Sequence, residues 1–136
     1  MRFRPVPVAV TVVAALAVAL AAPVRVLGAQ PAVTVDAVDV TGSTTITVSG
    51  TLTCAQPTGQ ATAQIWAINS QVLEVAQGIG TDTAACADGP VLWAVAISSP
   101  LQGWDDRFSL LVSASFRRDG VREGHTLQDF PPGWAG

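Results

Sequence analysis

Hydrophobic and polar residues alternate along several short segments of this chain, which is the pattern of β-strands with one buried face. The clearest segment runs from Thr44 to Cys54, where isoleucine, valine, leucine and cysteine share one parity and threonine and serine share the other. Gly50 occupies the apolar parity, so we expect a bulge in this strand or a close approach by another backbone.

Further segments show the same alternation and are separated by turn residues. Thr41-Gly42-Ser43 predicts the turn of a first hairpin, and Asp119-Gly120 predicts a tight turn, because glycine accepts positive φ. Asn69-Ser70 is expected to end one strand before another begins at Val72. No segment has the pattern of a long amphipathic helix. The remaining predicted strands are 32–40, 60–68, 91–97, 110–117 and 121–127.

These elements predict an all-β fold, namely a small antiparallel β-sandwich of immunoglobulin-like architecture. A small barrel is the alternative. The chain has 136 residues, which is the size of one domain.

The N-terminal segment has the layout of a secretory signal. Arg2 and Arg4 precede an apolar stretch over 6–26, and small residues follow at Gly28 and Ala29. We therefore predict a signal peptide over 1–29 and a mature domain over 30–136, secreted into the medium or associated with the cell envelope. The alternative is an uncleaved anchor, since about 20 apolar residues can span a bilayer. After cleavage no membrane span is expected.

Removal of this leader would leave an acidic domain. Four arginines would face ten acidic residues, a net charge of −6, and the chain contains no lysine. Nucleic acids bind to clustered basic residues, so a nucleic-acid partner is not expected, and neither is adhesion to anionic lipid.

The two cysteines, Cys54 and Cys86, predict one disulfide in an exported chain. On the chain-entropy model, closing the loop between these cysteines stabilises the fold by about 3.5 to 4 kcal/mol. The alternative is a redox-active pair, which normally has Cys-x-x-Cys spacing beside a helix.

The order of several motifs resembles a family of small exported actinobacterial domains without an assigned function. The resemblance implies a fold and an export route, and no catalytic residues. Its motifs are Val-Thr-Val-Asp at 33–36, Thr-x-Ser-Gly-Thr-x-x-Cys at 47–54, Gly-Ile-Gly at 78–80, the second cysteine at 86, and Trp93 two residues before Val95.

No constellation of residues predicts an enzyme, a metal site or a cofactor. His125 is the only histidine, so zinc would need carboxylates to complete its ligand set. Ser109, Ser113 and Ser115 lack the strand-turn-helix elbow of a serine hydrolase. The Asp105-Asp106-Arg107 run is expected to be a solvated turn in which the arginine offsets the acids.

The candidate binding residues are tryptophans and arginines. Trp66 and Trp93 lie within predicted strands and are expected in the core. Trp104 and Trp134 lie in loops, where they would form a recognition surface or plug the ends of the sandwich. Arg117 and Arg118 flank the Asp119-Gly120 turn with Arg122, and would contact an acidic partner or solubilise the hairpin tip.

The sequence therefore predicts a non-enzymatic interaction domain that binds an extracellular protein, a glycan or a small ligand through loops at one end. One alternative is a carrier of a small hydrophobic ligand, because small inward residues would leave space between the sheets. The other is a secreted protease inhibitor. The small residues expected to face inward are Ala61, Ala63, Ala94 and Ala114.

Overall fold

The computed structural model describes residues 32–135. The predicted signal peptide and its cleavage after Gly28 or Ala29 lie outside the described residues and stay predictions. Within the described range no helix is long and apolar enough to cross a membrane. The strands are β1 Ala32–Val40, β2 Thr45–Thr53, β3 Gln60–Gln71, β4 Glu74–Ala85, β5 Val91–Ser98, β6 Leu110–Arg118 and β7 Val121–Phe130.

The strands form two antiparallel sheets, one in the order β1-β2-β5 and the other in the order β4-β3-β6-β7. The predicted sandwich is thus confirmed over the barrel, because each sheet keeps two edges. The Asp119-Gly120 turn is confirmed as well. Both residues have positive φ, 51° and 78°, and Arg118 pairs with Val121 across the turn.

The alternation of apolar and polar residues along the strands buries one face of each sheet in the core. On β2 every second side chain from Ile46 to Leu52 is buried, and on β6 the same holds from Leu110 to Phe116. Trp93 is 6% exposed and meets Phe116 edge to face with ring centroids 5.5 Å apart, so it belongs to the core as predicted.

Gly50 marks a close approach between β1 and β2. A Cβ on Gly50 would lie 1.9 Å from the carbonyl oxygen of Thr34, and the β1–β2 register shifts between Val35 and Ala37. The expectation for Gly50 is confirmed, although the extra residue is in the partner strand β1 rather than in β2.

The predicted strand break at Asn69-Ser70 is wrong. β3 continues to Gln71, and the turn falls on Val72 and Leu73, where Leu73 has a φ of 64°. The physical reason is that the Asn69 side chain is fully buried and finds hydrogen-bond partners in a loop distant in sequence, so the strand continues through it.

The loops gather at two ends of the sandwich. The loop end carries 41–44, 72–73, 99–109 and 131–135, and the disulfide end carries 54–59, 86–90 and the 119–120 turn. Cys54 follows β2 and Cys86 follows β4, so their predicted disulfide is confirmed. It joins the two sheets at one end rather than across the centre of the core.

Candidate binding surface

The outer face of the four-stranded sheet carries large exposed apolar side chains at its centre. Ile79, Trp66, Ser113 and Leu127 form one row across the strands, and Gln77, Ile68, Leu111 and Asp129 form the next row. We refer to five of these residues, Trp66, Ile68, Ile79, Leu111 and Leu127, as the apolar face.

The apolar face is accessible. Trp66 is 45% exposed, Ile79 57% and Leu127 59%. The expectation that Trp66 belongs to the core is therefore wrong. Its neighbours Ile65 and Ala67 are fully buried, so the alternation of β3 directs the indole outward.

The surface of the apolar face is shallow. A depression of about 150 Å³ is lined by Trp66, Ile68, Leu111, Ser113 and Leu127. A wider one of about 440 Å³ continues from Trp66 and Ile79 to Pro100. Both depressions include Trp66, so the apolar surface is continuous across the sheet.

Polar and charged residues lie on either side of the apolar face along the strands. The row on the side of the disulfide end contains Thr81, Gln64, Ser115 and His125, and the row after it contains Arg117 and Arg122. Asp129 lies at the edge toward the loop end. The face therefore has an apolar centre, arginines toward one end and an acid toward the other.

Trp104 and Trp134 lie at the loop end and are half-buried against the core. The indole nitrogen of Trp104 donates to the carbonyl oxygen of Thr44 at 2.9 Å, and that of Trp134 donates to the carbonyl oxygen of Phe108 at 2.9 Å. Both tryptophans thus close the end of the sandwich, with their polar atoms satisfied inside the chain.

Asn69 organises the same end. Its Nδ2 donates to the carbonyl oxygens of Asp105, Phe108 and Ser109 at 3.0 to 3.2 Å. Its Oδ1 accepts from the backbone nitrogen of Asp105 and from Gln71 Nε2, each at 2.8 Å. One buried side chain therefore fixes the 99–109 loop, whereas the sequence pattern indicates only the end of a strand at this residue.

Arg118 lies at the disulfide end, with its side chain 19% exposed. Its guanidinium donates to the carbonyl oxygens of Thr58 and Gln56 and contacts Cys86 Sγ at 2.8 Å. Arg118 Nε lies 3.5 Å from Glu123 Oε1, which is an ion-pair contact longer than a good hydrogen bond. This arginine ties the 54–59 loop to the disulfide.

Arg117, by contrast, is exposed and donates to the carbonyl oxygen of Gly120 at 3.2 Å. The four residues predicted as a binding surface are thus not brought together. Trp104 and Trp134 lie at the loop end, and Arg117 and Arg118 lie at the disulfide end.

The closest grouping of possible metal ligands in residues 32–135 is Cys54, Cys86 and Glu123, with ligand atoms within 4.8 Å of one another. Both sulfurs are joined in the disulfide, so they have no thiolate to offer. Elsewhere, Ser113 Oγ lies 3.2 Å from His125 Nε2 on the open face of the sheet.

Asp105 and Arg107 form an exposed ion pair, with Nη2 and Oδ2 2.6 Å apart. The hydrogen bond from the Arg107 side chain lowers the pKa of the Asp105 carboxyl below its ordinary value. The Asp105 carboxylate is thus occupied by its own neighbour, which agrees with the turn in which the arginine offsets the acid.

The space between the sheets is small. A cleft of about 130 Å³ beside Trp93 and Phe116 is lined by Asp82 as well as by apolar residues. A small-molecule site normally has about 300 to 1,000 Å³, so this cleft is less than half the smallest usual size. Ala61, Ala63 and Ala114 do face inward, but the expectation for Ala94 is wrong, because it is exposed on the outer side of β5.

No protein-family model and no curated protein matches this chain. Some solved structures align with most of this chain at low identity. A glycosyl hydrolase family 2 member from Bacteroides cellulosilyticus is 11% identical over 76% of this chain, with a TM-score of 0.45. A putative beta-galactosidase from Bacteroides fragilis is 12% identical over 75% of this chain, with a TM-score of 0.49.

This chain spans 14% and 17% of those two proteins. At such identities and TM-scores the similarity carries no argument about function. What the fold and the surface define together is a disulfide-closed β-sandwich over residues 32–135, with an exposed apolar face on one sheet.

Proposed function

We propose that this protein is a non-enzymatic extracellular interaction domain that binds a protein surface through the apolar face. The observation that carries the proposal is the exposure of Trp66, Ile79 and Leu127 in one row of a single sheet. Contiguous exposed apolar patches mark interaction sites, and tryptophan is enriched among the residues that dominate binding energy.

The opposite sheet provides an internal comparison. Its outer face on β2 presents Thr45, Thr47, Ser49, Thr51 and Thr53. The hydroxyls of Thr45 and Thr51 bond to hydroxyls on the adjacent strands, and that of Thr47 bonds to Thr41 in the turn. The solvated side of β2 is thus rich in threonine and serine, whereas Leu92 is exposed beside it on β5. The apolar face departs from that composition, which supports a role other than contact with water.

The shape of the apolar face favours a protein partner over a small molecule. Its depressions are open and lie along the strands, whereas sites for small molecules enclose most of the ligand surface. The interior cleft is too small for the carrier function predicted as an alternative. The protease-inhibitor alternative stays a prediction, to be checked by assaying subtilisin-like proteases with the domain present.

An extracellular location fits the Cys54–Cys86 disulfide, because such bonds persist in oxidising compartments. The resemblance to exported actinobacterial domains supports the same location and stays a prediction. We therefore propose that binding takes place outside the cytoplasm, in the medium or at the envelope.

Native sedimentation of the chain recovered from its producing host tests this proposal. The wild-type protein is expected to sediment faster than a single folded chain. Trp66→Thr combined with Leu127→Thr is expected to return it to the size of a single chain, because both exposed anchors are lost while threonine keeps the strand preference.

Leu92→Thr is the matched control, since Leu92 is 85% exposed on the outer face of the other sheet. It should leave the sedimentation of the wild type unchanged. A wild-type chain that sediments as a single chain in every native fraction would contradict the proposal, and so would a double variant that stays as heavy as the wild type.

A further inference from the structure

We infer that this protein also makes a reversible contact with a lipid surface of no net charge, through three aliphatic side chains at the loop end of the sandwich. They are Val72 and Leu73, in the turn between β3 and β4, and Leu101, in the 99–109 loop. We refer to these three residues as the aliphatic corner. The inference goes beyond the proposed function and does not depend on it, because the apolar face lies on strands and the aliphatic corner lies on loops.

The side chains of the aliphatic corner stand clear of the rest of the molecule. Leu73 is 99% exposed and Leu101 is 94% exposed, which makes them the most exposed large hydrophobic residues of 32–135, and Val72 is 68% exposed. Single exposed leucines are ordinary on protein surfaces, whereas grouped ones mark sites of interaction.

Hydrogen bonds hold the two loops of the aliphatic corner side by side. Gln71 Nε2 donates to the carbonyl oxygen of Gly103 at 2.8 Å, and Gln102 Nε2 donates to Gln71 Oε1 at 3.1 Å. Gln71 directly precedes Val72, and Gln102 directly follows Leu101. The aliphatic side chains are therefore grouped by the fold, although about 30 residues separate the two loops in the sequence.

The backbone of Leu73 gives a second reason to assign it a role outside the chain. Gln71 pairs with Glu74, so Val72 and Leu73 form a two-residue turn, and Leu73 has a φ of 64°. Glycine, asparagine and aspartate are the residues that accept such a φ. A leucine here is unfavourable both for the backbone and for hydration, and only an apolar environment outside the chain offsets these costs.

The polar groups beneath the aliphatic corner are already satisfied. Gln71 Nε2 donates to Asn69 Oδ1 at 2.8 Å as well as to Gly103, and Gln71 Oε1 accepts from Gln102. Polar groups without partners resist transfer to a medium with little water. Because these amides bond to one another, this end of the molecule can meet a lipid surface without losing those hydrogen bonds.

The composition of the aliphatic corner favours lipid over a protein partner. Tryptophan, tyrosine and arginine dominate the binding energy of protein interfaces, whereas leucine and valine are under-represented there. Lipid chains, by contrast, accept any protruding aliphatic side chain, and the strength of binding follows the apolar area that is buried.

The charges of this end exclude attraction to anionic headgroups. The exposed Glu74 directly follows Leu73. Arg107, in the same loop as Leu101, is paired with Asp105, and the other three arginines of residues 32–135 lie at the disulfide end. Anionic membranes bind clustered basic residues, so a zwitterionic or neutral lipid surface is the one that fits.

Sedimentation of the purified natural chain with phosphatidylcholine vesicles tests the inference. The aliphatic corner contains fewer carbons than a myristoyl chain, so half of the wild type is expected to bind at about 0.1 to 1 mM lipid. Leu73→Asn combined with Leu101→Gln should raise the lipid needed by tenfold or more. Asparagine accepts the φ of position 73, so thermal melting of this variant should show a folded protein.

Two control variants locate the contact. Leu92→Thr removes an equally prominent leucine, 85% exposed on the other sheet, and should bind the vesicles as the wild type does. Trp66→Thr with Leu127→Thr alters the apolar face and should also bind normally. Replacing half of the phosphatidylcholine by phosphatidylglycerol at low salt should weaken wild-type binding several-fold, because Glu74 is repelled.

A wild type that stays in the supernatant at roughly 10 mM lipid would overturn the inference. Equal binding by the wild type and the Leu73 and Leu101 variant would overturn it as well, since another part of the chain would then hold the lipid. If that variant instead loses the heavier native species and the wild type ignores vesicles, the aliphatic corner binds a protein. None of these outcomes decides the proposed function, which is read without lipid from the Trp66 and Leu127 variant.

Discussion

Asn69 Nδ2 donates to the carbonyl oxygen of Asp105 at 3.1 Å, which joins the last turn-side part of β3 to a loop 36 residues further along the chain. The same side chain also serves Phe108 and Ser109, so its removal would leave several buried polar groups without partners. We expect Asn69→Ala to lower the free energy of unfolding by about 2 to 4 kcal/mol. Urea denaturation measures this change.

Asn69→Asp sharpens the same prediction. It keeps the volume of the side chain, but it replaces the Nδ2 donor with a carboxylate oxygen beside the three carbonyl oxygens that accept from Nδ2. We expect it to be at least as destabilising as Asn69→Ala, because a buried charge without a donor costs more than a neutral gap. An aspartate variant as stable as the wild type would contradict the assigned hydrogen bonds.

Arg118 is expected to contribute to stability although it was predicted as a surface residue. Arg118→Met removes the donors to Gln56 and Thr58 and the cation beside Glu123. We expect a loss of about 2 to 3 kcal/mol in urea denaturation. Arg117→Met is the matched control on the exposed neighbour and should stay within about 0.5 kcal/mol of the wild type.

Gly80 allows the edge of β4 to lie against β5. A Cβ at this position would meet Val95 Cγ1 at 2.4 Å and the carbonyl oxygen of Ala96 at 2.6 Å. We expect Gly80→Ala to destabilise the fold by about 1 to 3 kcal/mol through overpacking. Gly42→Ala is the control, because its nearest contact is an ordinary 3.4 Å, and it should change the midpoint of thermal unfolding little.

The ion pair between Asp105 and Arg107 predicts a pH effect of known sign. Because the folded-state pKa of Asp105 is lowered, its contribution is present above the unfolded pKa of about 3.9 and is lost as pH falls through the folded value. Arg107→Ala should return the pKa of Asp105 toward the ordinary value, as followed by NMR titration of its carboxyl carbon. An unchanged pKa would contradict the pairing.

Much of the fold could be predicted from alternation alone. The segments of β1, β2, β5 and β6, the Asp119-Gly120 turn and the single disulfide were all accessible from the sequence. In each case the signal is local, since parity and turn chemistry act over a few residues. The strand break predicted at Asn69 is wrong, because the hydrogen-bond partners of Asn69 lie about 40 residues away in the sequence, where local patterns cannot indicate them.

The candidate surface was missed for a different reason. Trp66 was expected in the core because tryptophan stabilises most when buried, yet Ala63, Ile65 and Ala67 occupy the opposite parity and are buried. The alternation along β3 therefore indicates an outward side chain at Trp66, whereas the size of the indole suggests a buried one. For Arg118, by contrast, the contacts depend on how the disulfide end closes, which no local pattern specifies.

Hydroxyl-radical footprinting, read by mass spectrometry on the purified natural chain and on the same chain in its native fractions, tests the central claim most directly. We predict that Trp66 and Leu127 are readily oxidised in the purified chain and are protected in the native fractions, while Leu92 reacts equally in both. Unchanged oxidation of Trp66 with protection at Leu92, or protection confined to Trp104 and Trp134, would contradict the claim that the apolar face is the surface that binds.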